Sequence, residues 1–299
     1  MGLYEGQNLD PATRRRLYVD LAIFFVAAFA LTWLISLPYI LDEQAATEVF
    51  GPMELGAPMF FAAVYVPSVA GLVISGMRYG LPGLRDLIKS ALRIRANIFW
   101  IAICLFGYPA LWLVVALVQV AIDGDLGSFD FSPWFVALPA VLLAGHILTD
   151  PGALGEELGW RGFALPRLME LLDARSASLI LGFVWAVWHL PAFSISTLSQ
   201  SGINFGLFVI NVTAFSVIMT WLFVHVRGSV LLAGIVPHML INSVPKAGIA
   251  PVFIVTVLLA VAILVFGGKT LRGIGRPKVE LPQSALLRGA GAQTEHSRL

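Results

Sequence analysis

Long apolar runs separated by short polar stretches make up almost the whole chain. The runs lie at about residues 18–41, 57–77, 98–122, 133–149, 177–197, 203–226, 229–247 and 250–267. Roughly 20 apolar residues in helical form cross a hydrocarbon core about 30 Å thick. The pattern therefore predicts an all-α polytopic membrane protein with about eight transmembrane helices. The fourth run is short, and the last three follow one another so closely that tight hairpins or re-entrant segments are alternatives.

The composition agrees with a chain that lies in lipid. Of its 299 residues, 58% are hydrophobic and only 12% are charged, whereas about 25% are charged in soluble domains. Residues 18–267 are predicted to form a single transmembrane domain between an N-terminal segment, 1–17, and a flexible basic tail, 268–299. The net charge of +1 gives no reason to expect nucleic acid as a partner. The single cysteine, Cys104, excludes a cysteine-rich zinc site.

Lysine and arginine residues fall on alternate sides of the predicted spans. One set of segments carries Arg14, Arg15, Arg16, Arg78, Arg85, Lys89, Arg93, Arg95, Arg161, Arg167, Arg175, Arg227, Lys269, Arg272, Arg276 and Lys278. The other set carries Asp42, Glu43, Glu48, Glu54, Asp123, Asp125 and Asp130, with Lys246 as the main exception. Because basic connections are retained in the cytoplasm, both termini are expected there. The protein is expected to reside in the cell membrane.

The segment from Asp150 to Arg175 is predicted to be an interfacial or re-entrant helix. Leucines at helical spacing give it an apolar stripe, and Pro166 is expected to kink or divide it. Gly155, Gly159 and Gly162 would let a neighbouring helix or a substrate backbone approach closely. The basic residues of the segment assign it to the cytoplasmic side, so access from that side is expected.

Two adjacent glutamates in this segment have different expected environments. Glu157 and Arg161 are four residues apart, the spacing at which side chains of opposite charge meet on one helix face. Glu156 points about 100° away around the helix and lacks that partner, so it is the better candidate for a reactive carboxylate. The alternative is a solvated charged face at the membrane surface.

Two further polar pairs interrupt apolar spans at the same spacing. Trp185 shares a helix face with His189, which can exchange protons or bind a metal near neutral pH. His238 shares a face with Asn242, and both side chains can donate hydrogen bonds to a developing oxyanion. Either pair alone is equally well explained by hydrogen bonds between helices. Because polar groups in a membrane are costly, the combination favours one shared, water-filled cavity.

The three motifs, in this order, resemble those of the CAAX prenyl protease and bacteriocin-processing family of intramembrane proteases. They read GEELGWRG from Gly155, WAVWHLP from Trp185 and HMLIN from His238. The resemblance runs from Asp150 to Asn242 and predicts a protease core at about residues 150–247. It implies an intramembrane endopeptidase whose substrate is a membrane-associated peptide or protein.

Carried over by motif position, the resemblance gives each polar residue a role. Glu156 and His189 would activate water, and His238 and Asn242 would bind the oxyanion of the tetrahedral intermediate. Glu157, Arg161 and Trp185 would support them. The position of Trp185 is often phenylalanine in the family, a difference expected to alter the pocket's shape more than its chemistry.

Several alternatives remain open at this point. Zinc is a rival cofactor, since two histidines and a glutamate are adequate ligands, but the HExxH spacing of common zinc proteases is absent. We therefore favour glutamate chemistry without a cofactor. The same polar pairs could also hold together a catalytically inactive scaffold or chaperone, or form a transport site.

Overall fold

The computed structural model describes residues 9–94, 96–123, 151–242, 249–267 and Leu271, and it confirms the all-α prediction in these residues. The helices are α1 (Pro11–Leu41), α2 (Glu43–Phe50), α3 (Pro58–Val64), α4 (Val66–Leu92), α5 (Ile98–Asp123), α6 (Pro151–Glu157), α7 (Leu165–Leu171), α8 (Ala174–Trp188), α9 (Phe205–His225), α10 (Val236–Asn242) and α11 (Ile249–Phe266). π-Helical turns at Leu158–Ala164 and Leu231–Ile235 lead into α7 and α10, and 3₁₀ turns at Leu190–Ser194 and Ser199–Gly202 connect α8 to α9.

Fewer membrane-spanning helices are present in the described part of the chain than the eight predicted. Four helical runs are long and apolar enough to cross a membrane: Pro11–Leu41, Ile98–Ile122, Ala174–Ser194 and Phe205–His225. Helices α3 and α4, bent by 49° relative to each other, form a fifth candidate. The apolar helices Leu231–Asn242 and Val252–Phe266 are shorter, and the predicted span 133–149 lies outside the described residues. Four or five spans are therefore supported, and a count of eight is not confirmed.

Two aspartates begin the first two helices. Asp10 Oδ1 accepts a hydrogen bond from the Thr13 amide at 2.9 Å, and Asp42 Oδ1 accepts one from the Ala45 amide at 3.0 Å. Both are N-cap bonds, which satisfy an amide that the helix itself leaves unpaired. Asp42 also ends α1, so the chain turns at this residue from the first span into the short helix α2.

The glycines of the 151–171 segment pack against the break between α3 and α4. A Cβ atom at Gly159 would lie 2.4 Å from the Pro67 carbonyl oxygen, and one at Gly155 would lie 2.8 Å from the Val64 carbonyl oxygen. Neither distance leaves room for a side chain. The predicted close approach of a neighbouring helix is therefore present, and it fixes α6 against α3 and α4.

The alternative of a solvated charged face is wrong for this segment. Glu156 is 3% exposed, and Glu157 and Arg161 are fully buried. The segment is also not one regular helix, because a π-helical turn separates α6 from α7, which begins at Leu165. The sequence pattern was misleading because the charged side chains that suggested a water-facing surface find partners inside the bundle instead.

A second buried charge cluster lies between α1, α4 and α7. The Asp20 carboxylate is 2.9 Å from Arg78 Nε and 3.5 Å from Arg167 Nε, and it accepts a hydrogen bond from the Tyr79 hydroxyl at 3.0 Å. Asp20 and Arg167 are fully buried. This cluster anchors the α7 end of the segment to α1. Its signal in the sequence is an aspartate within the first apolar run, which is a costly position for an unpaired charge.

Candidate active site

The predicted ion pair is present at the start of the π-helical turn. Arg161 Nη1 donates a hydrogen bond to Glu157 Oε1 at 2.9 Å. The guanidinium also lies over the Trp185 ring, 4.0 Å from its centroid. Arg161 thus contacts two of the residues that the sequence grouped around Glu156.

The neighbouring carboxylate of Glu156 is held by a different residue. The indole N–H of Trp185 donates a hydrogen bond to Glu156 Oε2 at 2.6 Å. Both side chains are buried, at 3% exposure each. A phenylalanine at this position could not make the bond, so the tryptophan changes the chemistry of the site as well as its shape.

His189 faces Glu156 from the carboxyl end of α8. Its Nδ1 lies 2.8 Å from the Trp185 carbonyl oxygen, which can only accept a hydrogen bond, so Nδ1 is the donor. The neutral ring then carries its lone pair on Nε2, which is 4.0 Å from Glu156 Oε2. That separation is too long for a direct hydrogen bond and suits one bridging water.

His238 contacts the other glutamate, an interaction that helical spacing alone does not predict. Its Nδ1 is 2.8 Å from Glu157 Oε1, across 81 positions of the chain. The π-helical turn that precedes α10 provides the space, because a Cβ atom at Gly234 would lie 2.8 Å from Glu157 Oε2. Glu157 therefore joins Arg161 on its own segment to His238 on α10.

All four predicted catalytic residues line one cavity of about 130 Å³. Glu156, His189, His238 and Asn242 come from three separate segments of the chain and meet on its wall. Other residues that line it were not predicted, including Thr32, Ser36, Met53, Leu55, Leu198 and Gln200. No motif marks these residues, because they come from α1 and from two connections that contact the site only in the folded chain.

The cavity opens at one end of the bundle. Leu55, on its rim, is 76% exposed, and Asn242 is also exposed. The buried Asp20 cluster lies at the opposite end, since Ser36 and Asp20 are sixteen residues apart on α1, or about 24 Å along a helix axis. The 151–171 segment runs along the bundle, so that Arg167 lies at the Asp20 end while Glu156 lies on the cavity. The position of the arginines therefore does not predict the position of Glu156.

Hydrogen bonds join the two connections at the rim of the cavity. Glu43 of α2 accepts hydrogen bonds from the Ser196 amide at 2.9 Å and from the Thr197 amide at 3.3 Å. The Ser196 amide bond is the main reason that the pKa of the Glu43 carboxyl is below its ordinary value. The Thr197 hydroxyl donates to the Met53 carbonyl oxygen at 2.6 Å. These bonds keep the 42–57 connection against the α8–α9 connection beside the cavity.

The described residues include the glutamates and histidines of the zinc alternative. Among them, no group of three or more His, Cys, Asp or Glu side chains is arranged to hold a metal ion. His238 Nδ1 is engaged by Glu157, and Glu156 Oε2 by the indole of Trp185.

Comparison with known proteins shows which family this chain resembles. A family model described as type II CAAX prenyl endopeptidase Rce1-like matches residues 128–244. The CAAX prenyl protease 2 of Methanococcus maripaludis is 30% identical over 235 residues, which cover 74% of this chain and 82% of that protein. The chain belongs to the Rce1-like CAAX endopeptidase family. This Rce1-like protein is accordingly an integral membrane protein of a protease family.

The Rce1-like match contains every predicted site residue but not the whole cavity. It begins at residue 128, whereas Thr32 and Ser36 of α1 and Leu55 of the 42–57 connection also line the cavity. The N-terminal helices thus complete a site whose reactive groups come from the matched range.

Proposed function

We propose that this Rce1-like protein is an intramembrane endopeptidase that hydrolyses a peptide bond in a membrane-associated peptide or protein without a metal. One observation carries the proposal: a carboxylate, two imidazoles and a carboxamide line a single cavity. Peptide hydrolysis needs a base, a proton donor for the leaving amine and donors for the oxyanion, and these residue types provide them.

Water activation is assigned to Glu156 and His189. A water molecule between Glu156 Oε2 and His189 Nε2, which are 4.0 Å apart, would donate one hydrogen bond to each. As the water oxygen attacks the carbonyl carbon of the substrate, its proton passes to Glu156. The fixed orientation of His189, set by its bond to the Trp185 carbonyl, keeps Nε2 directed at the attacking water.

We assign to His238 and Asn242 the stabilisation of the negative charge that forms on the substrate oxygen. His238 can donate to it from Nε2 while Nδ1 remains bonded to Glu157 only if both ring nitrogens are protonated. Glu157 then supplies the counter-charge on the other side of the ring. The intermediate collapses when Glu156 returns its proton to the leaving nitrogen, and the carbon–nitrogen bond breaks.

Proteoliposome cleavage assays test this function against the scaffold alternative. Purified protein is reconstituted with a panel of membrane-anchored peptides in water enriched in ¹⁸O, and new termini are identified by mass spectrometry. Hydrolysis places one ¹⁸O atom in the new carboxyl group, and Asn242→Ala should slow cleavage about 100- to 1,000-fold, as for other oxyanion donors. Folded wild-type protein that binds these peptides and cleaves none of them would favour a scaffold.

A further inference from the structure

A second cavity lies beside α10, among apolar helices. Its volume is about 300 Å³, more than twice the 130 Å³ of the catalytic cavity. The described residues that line it belong to α5, α9, α10 and α11. None of these lining side chains carries a charge, and only Cys104, Tyr108 and Trp221 bring a polar atom to the wall. The wall is therefore suited to an apolar ligand.

Small residues on one face of α5 leave this space open. Ile103, Gly107, Ala110 and Val114 recur on that face at helical spacing, and all four line the cavity. A Cβ atom at Gly107 would meet Ile103 Cγ2 at 3.5 Å, an ordinary contact, so the position has room for a side chain. Gly107, Ala110 and Val114 are also exposed. The cavity thus opens at the outer surface of the bundle along α5.

The opening lies at the depth of the lipid chains. Ala110 and Phe215, on opposite walls, are the central residues of the candidate spans Ile98–Ile122 and Phe205–His225. The centre of a span is about 15 Å from either surface of a hydrocarbon core that is about 30 Å thick. The molecules that surround the opening at that depth are the chains of the membrane lipids.

We propose that this cavity binds one hydrocarbon chain of a membrane lipid, and that the bound chain supports α10 behind His238. The side chains around an empty void lose the dispersion contacts that a neighbour would supply. In a soluble protein, a dry apolar cavity of roughly 150 Å³ binds benzene or xenon for this reason. The cavity here is larger and opens directly to hydrocarbon, so a lipid chain fills it while the headgroup stays at the membrane surface.

The helix α10 separates this cavity from the catalytic one. Pro237 lines the apolar cavity, whereas His238 and Asn242 line the catalytic cavity. A chain in contact with Pro237 opposes a displacement of α10 away from Glu157, whose carboxylate is 2.8 Å from His238 Nδ1. The effect of the lipid on catalysis rests on the proposed function, whereas the binding of the lipid does not.

Photolabelling identifies the occupant without any need for activity. Purified protein is reconstituted in phosphatidylcholine vesicles that contain a trace of the same lipid with a diazirine at the middle of one chain, and labelled residues are located by mass spectrometry. Phe215 and Leu222 line the cavity and are 3% and 5% exposed, so lipid that merely surrounds the protein does not reach them. Val26 of α1 is 68% exposed and reports that surrounding lipid.

We expect label on Phe215 and Leu222 as well as on Val26. Label on exposed side chains alone would overturn the proposal, and this is the result expected if a second copy of the chain covers the cavity.

Gly107→Leu fills the cavity, and Gly76→Leu on α4 is its matched control. We expect Gly107→Leu to lower the labelling of Phe215 relative to Val26 by about fivefold or more, because the cavity cannot hold both the new side chain and the lipid. At Gly76 a Cβ meets nothing within 4 Å, so the control should leave the ratio unchanged. Ala110→Leu should act like Gly107→Leu and replaces it if that variant does not fold. Equal ratios in the filled variants and the wild type would overturn the proposal.

A kinetic comparison tests the support of α10. Wild-type protein stripped of lipid in detergent should lose about threefold or more in kcat on a cleavable peptide, and added phosphatidylcholine should restore it, because an empty cavity leaves Pro237 without contacts on that side. Gly107→Leu supplies those contacts itself and should change by less than about 1.5-fold. An equal dependence on lipid in the two proteins would overturn the support of α10. If the wild type cleaves no peptide with lipid present, the proposed function fails, while the labelling of Phe215 still decides the occupant.

Discussion

The indole N–H of Trp185 donates a 2.6 Å hydrogen bond to the carboxylate of Glu156, the residue assigned as the base. The same ring lies under the Arg161 guanidinium and contacts the His238 ring edge to face, with centroids 5.2 Å apart. Its backbone carbonyl accepts the bond that orients His189. Trp185 therefore contacts Glu156, Arg161 and His238, which lie on two other segments of the chain, although it does not line the cavity itself.

Replacing this tryptophan should slow the chemical step without weakening substrate binding. Trp185→Phe keeps an aromatic ring and removes the donor to Glu156, a bond to a charged group that is worth about 1.5–3 kcal/mol. We expect kcat to fall about 10- to 100-fold with KM nearly unchanged. Steady-state kinetics on a cleavable peptide measure both constants.

Trp33→Phe is the matched control for this substitution. Trp33 also donates its indole N–H, at 3.1 Å, but to the backbone carbonyl of Trp188 and not to a catalytic group. The control should lower thermal stability slightly and leave kcat within about twofold. Equal losses of kcat in the two variants would show that Trp185 is merely structural.

A methyl group at Gly234 should disturb the contact between Glu157 and His238. The added Cβ would lie 2.8 Å from Glu157 Oε2, so the carboxylate must move from a position in which Oε1 binds both His238 and Arg161. We expect Gly234→Ala to lower kcat at least 10-fold. Gly76→Ala, where a Cβ meets nothing within 4 Å, should leave kcat unchanged; a similar loss there would refute the explanation.

The buried carboxylate of Asp20 should matter for stability and not for catalysis. Asp20→Asn leaves Arg78 and Arg167 without their shared counter-charge, and breaking a buried ion pair costs about 3–5 kcal/mol. Thermal unfolding in detergent should show a large drop in melting temperature, with kcat of the folded fraction retained. Asp86→Asn, in a partly exposed 3.6 Å pair with Arg93, should cost less than about 1 kcal/mol. Equal effects of the two substitutions would contradict this account.

Metal chelators should leave cleavage unchanged. The proposed water activation uses Glu156 and His189 alone, and the described residues present no three-ligand cluster. Purified enzyme is dialysed against EDTA or 1,10-phenanthroline and assayed with the same peptide. A loss of activity that added zinc restores would reassign the histidines as ligands.

The local pairs of the site could be predicted from the sequence because they depend only on helical spacing. The Glu157–Arg161 pair and the shared faces of Trp185 with His189 and of His238 with Asn242 each join residues four apart. The Glu157–His238 contact could not be predicted in this way, since it depends on how α10 packs against the 151–171 segment. The burial of that segment could not be predicted either, because helical periodicity does not distinguish charges that face water from charges that are paired inside a bundle.

Some residues that line the cavity could be predicted from the sequence and others could not. Its reactive groups were found because ionisable side chains stand out within apolar spans. Thr32 and Ser36 do not stand out, because hydroxyl side chains are common in membrane helices and can bond to the backbone of their own helix, as Ser36 does to the Thr32 carbonyl. Their place in the site follows only from the packing of α1.

The most direct test of the account is peptide cleavage by Glu156→Gln, compared with wild type in the same lipid vesicles after both are shown to fold equally well. The substitution preserves the size of the side chain and an oxygen that can accept the Trp185 bond, but removes the ability to take a proton from water. We predict a loss of at least 1,000-fold in kcat. Cleavage by Glu156→Gln at the wild-type rate would contradict the assignment of Glu156 as the base.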